Sequence, residues 1–532
     1  MVTMRTFEDL IDDLGGMGRF QILLIISVIS CQFFTGWSML QMSYAGLIPS
    51  FRCIVEDSVN VTRNTNQSLD VCEVNGTVCS SYAFSGPAQT VITEWNLVCD
   101  MKWVKPTITS VQMGGVLLGA LLAGQMSDTF GRKKSLYGFN LYHIIINVGA
   151  AFSVSWIMFV VMRFFIGIGI GAIVVIAFTY PLEFLPIKWR PILSIVPSWS
   201  LGVALFSAAA YILDNWSQLH LACGILSIPS LIGWFFVPES IRWLTLQGNV
   251  KDAEKVFEKI ARSNGKEVPL DTMKVLQSII ETENHSREFA RSYTYFDLFR
   301  NLRMIKLNLV LWLFWSTLSL SFYGISFGVS SLSGNLYLNI FLLAVMELPV
   351  RMTTFALNNR LGRKVTTFGF MTLSVLPSAG CLLAYLLAPE PIRDTAVNGL
   401  SLIAKMMVAS AWSNAQIWTS ELYPTVVRSL GYGFANMGAR VGGIAAPFVV
   451  NFDDMPLVAY GVMTVLLGVC TVLTLTLDET KGKVLSDSFG ADTDIKTTEP
   501  QHDKGVDKNG EVMGVFDKAT EQNLKSDTCT RF

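Results

Sequence analysis

With 532 residues, 51% of them hydrophobic and only 15% charged, the chain is too apolar for an ordinary water-soluble domain. A formal net charge of -1 gives no electrostatic basis for nucleic acid as a partner. Roughly a dozen apolar stretches of about 20 residues, the length that crosses a hydrocarbon core, place it in a lipid bilayer.

Segment 1–19 carries Glu8, Asp12 and Asp13 ahead of the first apolar run, the wrong sign for a secretory leader, and is expected to stay in the cytosol. Phe7, Leu10, Ile11 and Leu14 recur at helical spacing, which predicts a short amphipathic helix lying on the membrane. Spans are expected to start near residues 20, 105, 135, 157, 192 and 219, and again near 305, 335, 365, 396, 430 and 456. The first six make a bundle over 20–238, which includes an extracellular loop 50–104, and the last six a bundle over 304–484. The charged segment 239–303 reads as cytosolic linker helices, and 485–532, without apolar periodicity, as a disordered cytosolic tail. The predicted fold class is an all-α membrane protein with twelve transmembrane helices.

Loop 50–104 holds Cys53, Cys72, Cys79 and Cys99 together with three glycosylation sequons, at Asn60, Asn66 and Asn75. Paired cysteines and sequons call for an oxidising, glycosylating compartment, so the loop is extracellular with two disulfides, and three pairings are open. The sequons at Asn215 and Asn284 read as chance matches, one too close to the membrane and one on the cytosolic side. Arg132, Lys133, Lys134, Lys188, Arg190, Arg360, Arg363, Lys364 and Arg428 fall in alternate short loops, which makes those loops cytosolic. An even span count then puts both termini in the cytosol of a multi-pass plasma-membrane protein.

The two bundles echo each other. Glu183, Pro186 and Arg190 recur as Glu421, Pro424 and Arg428, and Asp128, Gly131, Arg132 and Lys133 as Asn359, Gly362, Arg363 and Lys364. Pro238-Glu239-Ser240 is answered by Asp478-Glu479-Thr480. Two pseudo-equivalent halves are the architecture of rocking transporters.

Gly124-Gln-Met-Ser-Asp128-Thr-Phe-Gly131-Arg132-Lys133 resembles the loop signature of the major facilitator superfamily. Glu94-Trp-Asn-Leu-Val-Cys-Asp100, Pro238-Glu-Ser-Ile-Arg-Trp243 and Ser420-Glu-Leu-Tyr-Pro424 resemble its organic anion, organic cation and carnitine transporter branch among the solute carriers. The resemblance covers residues 1 to 485 and is nearest to the organic anion carriers. It implies a major facilitator fold that moves small amphipathic organic anions by alternating access, as secondary active transport or exchange. A carnitine-like zwitterion or an organic cation is the alternative cargo.

A bare cation at the centre of a spanning helix costs roughly 2.5–3.5 kcal/mol, so it faces water or a partner. Arg440 lies mid-span with no acid one turn away and is assigned to a wet cavity, where the resemblance makes it the anion-recognising charge. Arg351 is one turn from Glu347, so that pair either neutralises itself or offers substrate a second cation. The resemblance places Phe322, Tyr323 and Trp412 on the cavity wall, with Gln416 where an aromatic often stands. Glu347 is the counter-charge if the cargo is cationic. Arg163 and Lys405 are secondary candidates, and His143 reads as a hydrogen-bonded core residue.

Asp128, Arg132, Glu183, Arg190, Glu421 and Arg428 lie at the cytosolic rim, where they are expected to form an ion-pair latch that closes the inner gate. Asn359 in place of an acid makes the second latch the poorer one. Thr530-Arg531-Phe532 fits a C-terminal ligand for a PDZ-domain scaffold. Gly324-Ile-Ser-Phe-Gly328 matches a nucleophile pattern by letters but sits on an apolar helix, and no P-loop or metal-ligand pattern occurs. The chain is therefore expected to be no enzyme and to need no cofactor. Its partners are the bilayer, an organic anion and a counter-anion.

Overall fold

The computed structural model describes residues 7–54, 70–74, 77–79, 81–190, 192–269, 295–424, 427–449 and 455–481, with two isolated residues, 272 and 277. Asn60, Asn66, Asn75, Asn284 and the tail with Thr530, Arg531 and Phe532 lie outside the described residues. Within them the architecture is helical. Eight helical stretches are long and apolar enough to cross a membrane: Arg19–Ala45, Cys99–Phe130, Trp156–Leu182, Trp216–Phe236, Leu302–Ser331, Leu336–Leu361, Arg363–Leu387 and Pro456–Thr474. Helices Arg132–Ala150, Ser198–Leu213, Glu390–Leu422 and Arg428–Val449 lie between them. Ser198–Leu213 is short, and the other three carry polar groups such as Asn140, His143, Lys405 and Arg440, which lower their apolarity.

Glycines set the closest helix contacts. At Gly167 and Gly171 an added Cβ would strike the carbonyls of Gln112 and Val116 on the neighbouring helix, so nothing larger fits. Gly202 meets the carbonyl of Phe33 in the same way, and Gly442, 240 residues later, meets that of Ser316. The internal echo is therefore also an echo of packing.

The N-terminal helix Phe7–Asp13 forms, but Leu10 and Ile11 on its apolar face, and Leu14 just beyond it, are covered by protein. Leu10 and Leu14 join Val256, Phe257 and Ile260 of helix Val250–Asn264 in one core, and Asp12 pairs with Lys188 at 2.9 Å. This corrects the membrane-surface reading: an apolar stripe demands cover, and here that linker helix supplies it.

At the opposite end of the bundle, Phe51–Ile54 pairs antiparallel with Ser81–Phe84. The disulfides are Cys53–Cys79 and Cys72–Cys99, with Cα atoms 5.4 and 5.7 Å apart. Phe51, Val91, Ile92 and Trp216 form a small core that seats this segment on the helix ends. Asn215 caps helix Trp216–Ser227, its side chain accepting from the Ser217 and Gln218 backbone N–H groups, a structural use of that sequon.

Candidate functional site

Helices Leu302–Phe327, Leu336–Leu361, Glu390–Leu422 and Arg428–Val449 bring most of the expected binding residues together at mid-depth. The second of these is interrupted at Met346, between Leu336–Val345 and Glu347–Leu361. Pro349 explains the break, because it has no N–H to return to the carbonyl one turn back. The interruption leaves Glu347 at the start of a helix, where the dipole favours an acid.

Glu347 is 2% exposed and is the hub of the site. Its Oε1 lies 3.2 Å from Lys405 Nζ, and its Oε2 lies 3.3 Å from an Arg351 Nη and accepts from Ser200 Oγ at 2.9 Å. Lys405 is equally buried, donates weakly to the Leu343 carbonyl at 3.4 Å and stands 5.0 Å above the Phe322 ring. Trp412 packs at 5.3 Å from Trp315 and 5.7 Å from Phe322, with Tyr323 at 6.3 Å, so the aromatic residues do form one wall.

Arg440 is partly exposed and, among the described residues, has no carboxylate or hydrogen-bond partner. It is near enough to act electrostatically on the hydroxyls of Tyr323 and Tyr432. The site therefore sets three cations against one carboxylate. Gln416 lies one turn beyond Trp412, partly exposed.

The rim residues are held inside each part of the chain. Arg132 meets Asp128 at 2.5 Å and Glu183 at 3.1 Å, and Arg363 meets Glu421 at 3.1 Å. Arg190 donates to the Leu185 carbonyl, and Arg428 opens its helix at the same end.

The Pro238 and Asp478 echoes gain a role that sequence reading missed. Glu239 accepts from the backbone N–H groups of Arg132 and Lys133, and Glu479 from those of Arg363 and Lys364, so each acid caps a helix. Gly131 (φ 99°) and Gly362 (φ 102°) permit both turns, and a Cβ on either would collide with the capping carboxylate.

A third cluster, also unforeseen, ties the two parts together at the disulfide-bearing end. Asp214 Oδ1 accepts from the hydroxyls of both Tyr44 and Tyr337 at 2.8 Å, and Ser43 donates to the Ser326 carbonyl at 3.0 Å. Ser326, the centre of the nucleophile-like pattern, spends its hydroxyl on the Phe322 carbonyl of its own helix. Arg163 is fully buried and donates to the Ser38 carbonyl and Gln112, while His143 and His220 bond Asn147, whose amide oxygen accepts from Ser38 Oγ, so all three belong to one buried polar core.

A family model described as "Sugar (and other) transporter" matches residues 22–487. "Solute carrier family 22 member 7" of Sus scrofa is 32% identical over 416 residues, which cover 77% of this chain and 74% of that protein. The chain belongs to the sugar (and other) transporter family and, within it, to solute carrier family 22. The human "Organic cation/carnitine transporter 2" is 28% identical, covering 97% of this chain and all of that one. Among solved structures, the inward open conformation of the xylose transporter XylE from E. coli aligns with a TM-score of 0.63 at 17% identity, over 88% of this chain and 98% of that one. That likeness shows the major facilitator fold. The chain is a membrane transporter, as these relatives are.

Proposed function

We propose that this transporter moves small amphipathic organic anions across the plasma membrane by alternating access. One observation carries the reading: Arg351 and Lys405 converge on a single carboxylate, that of Glu347, with Arg440 unpaired among the described residues, beside a wall of Trp315, Phe322, Tyr323 and Trp412. Two unneutralised guanidinium or ammonium charges favour an anion, and arginine can meet a carboxylate or sulfate through two N–H groups. Aromatic walls suit the apolar body of such a solute.

The fold this implies is twelve spans in two six-helix bundles, 20–238 and 304–484, with both termini in the cytosol. The disulfide-bearing end then faces outward, where Asn60, Asn66 and Asn75 would be glycosylated. Asp128, Arg132, Glu183 and Arg190 on one side, and Glu421 and Arg428 on the other, act at the inner rim as two rigid caps that swing with their bundles. The C-terminal Thr530-Arg531-Phe532 offers a PDZ-domain partner a ligand, and a counter-anion is the natural exchange partner.

A carnitine-like zwitterion is the second reading, favoured by the Glu347 carboxylate in the site, paired with the Lys405 that stands over the Phe322 ring, and by the likeness to a cation and carnitine carrier. Uptake of labelled succinate and a labelled steroid sulfate, against labelled tetraethylammonium and carnitine, in cells expressing the protein decides between them. Anion uptake that disappears in Arg440→Asp at unchanged surface level is the expected result. Uptake of tetraethylammonium or carnitine alone would refute the anion reading.

A further inference from the structure

The buried carboxylate of Glu347 sits where an anionic substrate would be expected to bind. Its two oxygens take Lys405 at 3.2 Å and Arg351 at 3.3 Å, the same charges that would recognise a solute carboxylate. Ser200 supplies a further donor at 2.9 Å, and it belongs to helix Ser198–Leu213, from the other part of the chain. The hub thus joins two properties: it pairs two of the site's three cations, and it ties the site to the opposing helices.

We infer that Glu347 is a tethered stand-in for the substrate's anionic group, which lets the empty carrier reorient. This rests on the anion reading above. A buried Lys405 and a half-buried Arg351 without a counter-ion are costly in a membrane, and a carrier that had to carry them bare through its closed intermediate would return slowly. With Glu347 bound to both, neither Lys405 nor Arg351 is left without a counter-ion in the empty site. An arriving anion competes with Glu347 for Lys405 and Arg351, and also gains Arg440, which the tethered acid does not engage. The competition lowers apparent affinity, and in return the carrier performs net transport as well as exchange.

The test uses the full-length carrier in proteoliposomes loaded with labelled succinate or a labelled steroid sulfate. Wild type should release label into probe-free medium at a rate within about tenfold of its release into medium containing unlabelled probe. Glu347→Gln should continue to exchange with KM lowered about tenfold, while net release slows at least about tenfold relative to exchange. Glu347→Asp should restore net release. Ser200→Ala, which leaves both ion pairs of Glu347 whole, should slow net release severalfold relative to exchange, with melting temperature and reconstituted protein level measured alongside.

Parallel loss of exchange and net release in Glu347→Gln or Ser200→Ala would overturn the inference, as would a wild type that exchanges but never releases into probe-free medium. Wild type that transports neither anion would instead refute the anion reading itself, so the two failures are distinguishable.

Discussion

Arg440→Gln and Lys405→Met should fail in opposite ways, although both remove one positive charge from one site. Lys405 is locked to Glu347 at 3.2 Å, both groups 2% exposed, so removing it leaves a buried acid short of one partner. Breaking such a pair costs about 3–5 kcal/mol. Arg440 has no carboxylate partner among the described residues, so its removal orphans nothing and should cost little in folding. On the proposed anion reading, what it removes is a charge-assisted contact with the substrate, worth about 2–5 kcal/mol, or at least about thirtyfold in affinity. Thermal unfolding of purified protein, read beside uptake kinetics and surface labelling, separates the two. Lys405→Met should melt several degrees lower and reach the surface poorly. Arg440→Gln should melt with wild type and lose anion affinity. An Arg440→Gln carrier with KM within about twofold of wild type, or with a melting loss equal to that of Lys405→Met, would refute the division of labour.

Tyr337→Phe removes one of two hydroxyls from Asp214 and should cost about 1.5–3 kcal/mol of closure at the disulfide-bearing end. The expected reading is faster modification of a reporter cysteine at Ser43 by a membrane-impermeant thiol reagent, and an unchanged rate would count against the clamp. Gly131→Ala and Gly362→Ala each force a side chain into a left-handed turn against Glu239 or Glu479, and both should lower the melting temperature; a neutral result would show that the cap tolerates displacement. Peptide mapping without reductant should recover Cys53 linked to Cys79 and Cys72 linked to Cys99, and a Cys53–Cys72 peptide would contradict the fold of that segment.

What the chain discloses before folding follows the range of each interaction. Arg351 and Glu347 are one helical turn apart, so their pairing is legible from spacing alone. Lys405 is 58 residues from Glu347 and Ser200 is 147, and no periodicity announces contacts that two or three separate helices create. The repeated acids at Glu239 and Glu479 were visible as an echo, but a capping role needs the turn at Gly131 or Gly362 to bring the next helix within reach. The disulfide pairing was open for the same reason, since four cysteines specify no distances. The amphipathic N-terminal stripe specifies a helix but not what covers it, and here protein, not membrane, covers Leu10 and Leu14.

The internal repeat is informative where it breaks. At the basic-loop end it holds nearly atom for atom: Gly131 with Gly362, Arg132 with Arg363, Glu183 with Glu421, Glu239 with Glu479. At mid-depth it keeps the packing and drops the charge. Gly202 and Gly442 make the same carbonyl contact 240 residues apart, and that register sets Ser200 opposite Arg440. The offset of the Asp128 echo sets Val116 against Glu347 and Ala120 against Arg351, and that of the Glu183 echo sets Gly167 against Lys405. All the first-half counterparts are neutral. Around Glu347, among the described residues, one part of the chain therefore supplies the charges, and the other supplies the hydroxyl of Ser200, which crosses to the shared carboxylate. On the proposed reading, cargo is gripped mainly from one side, so closing can depend on light contacts from the other, such as that of Ser200.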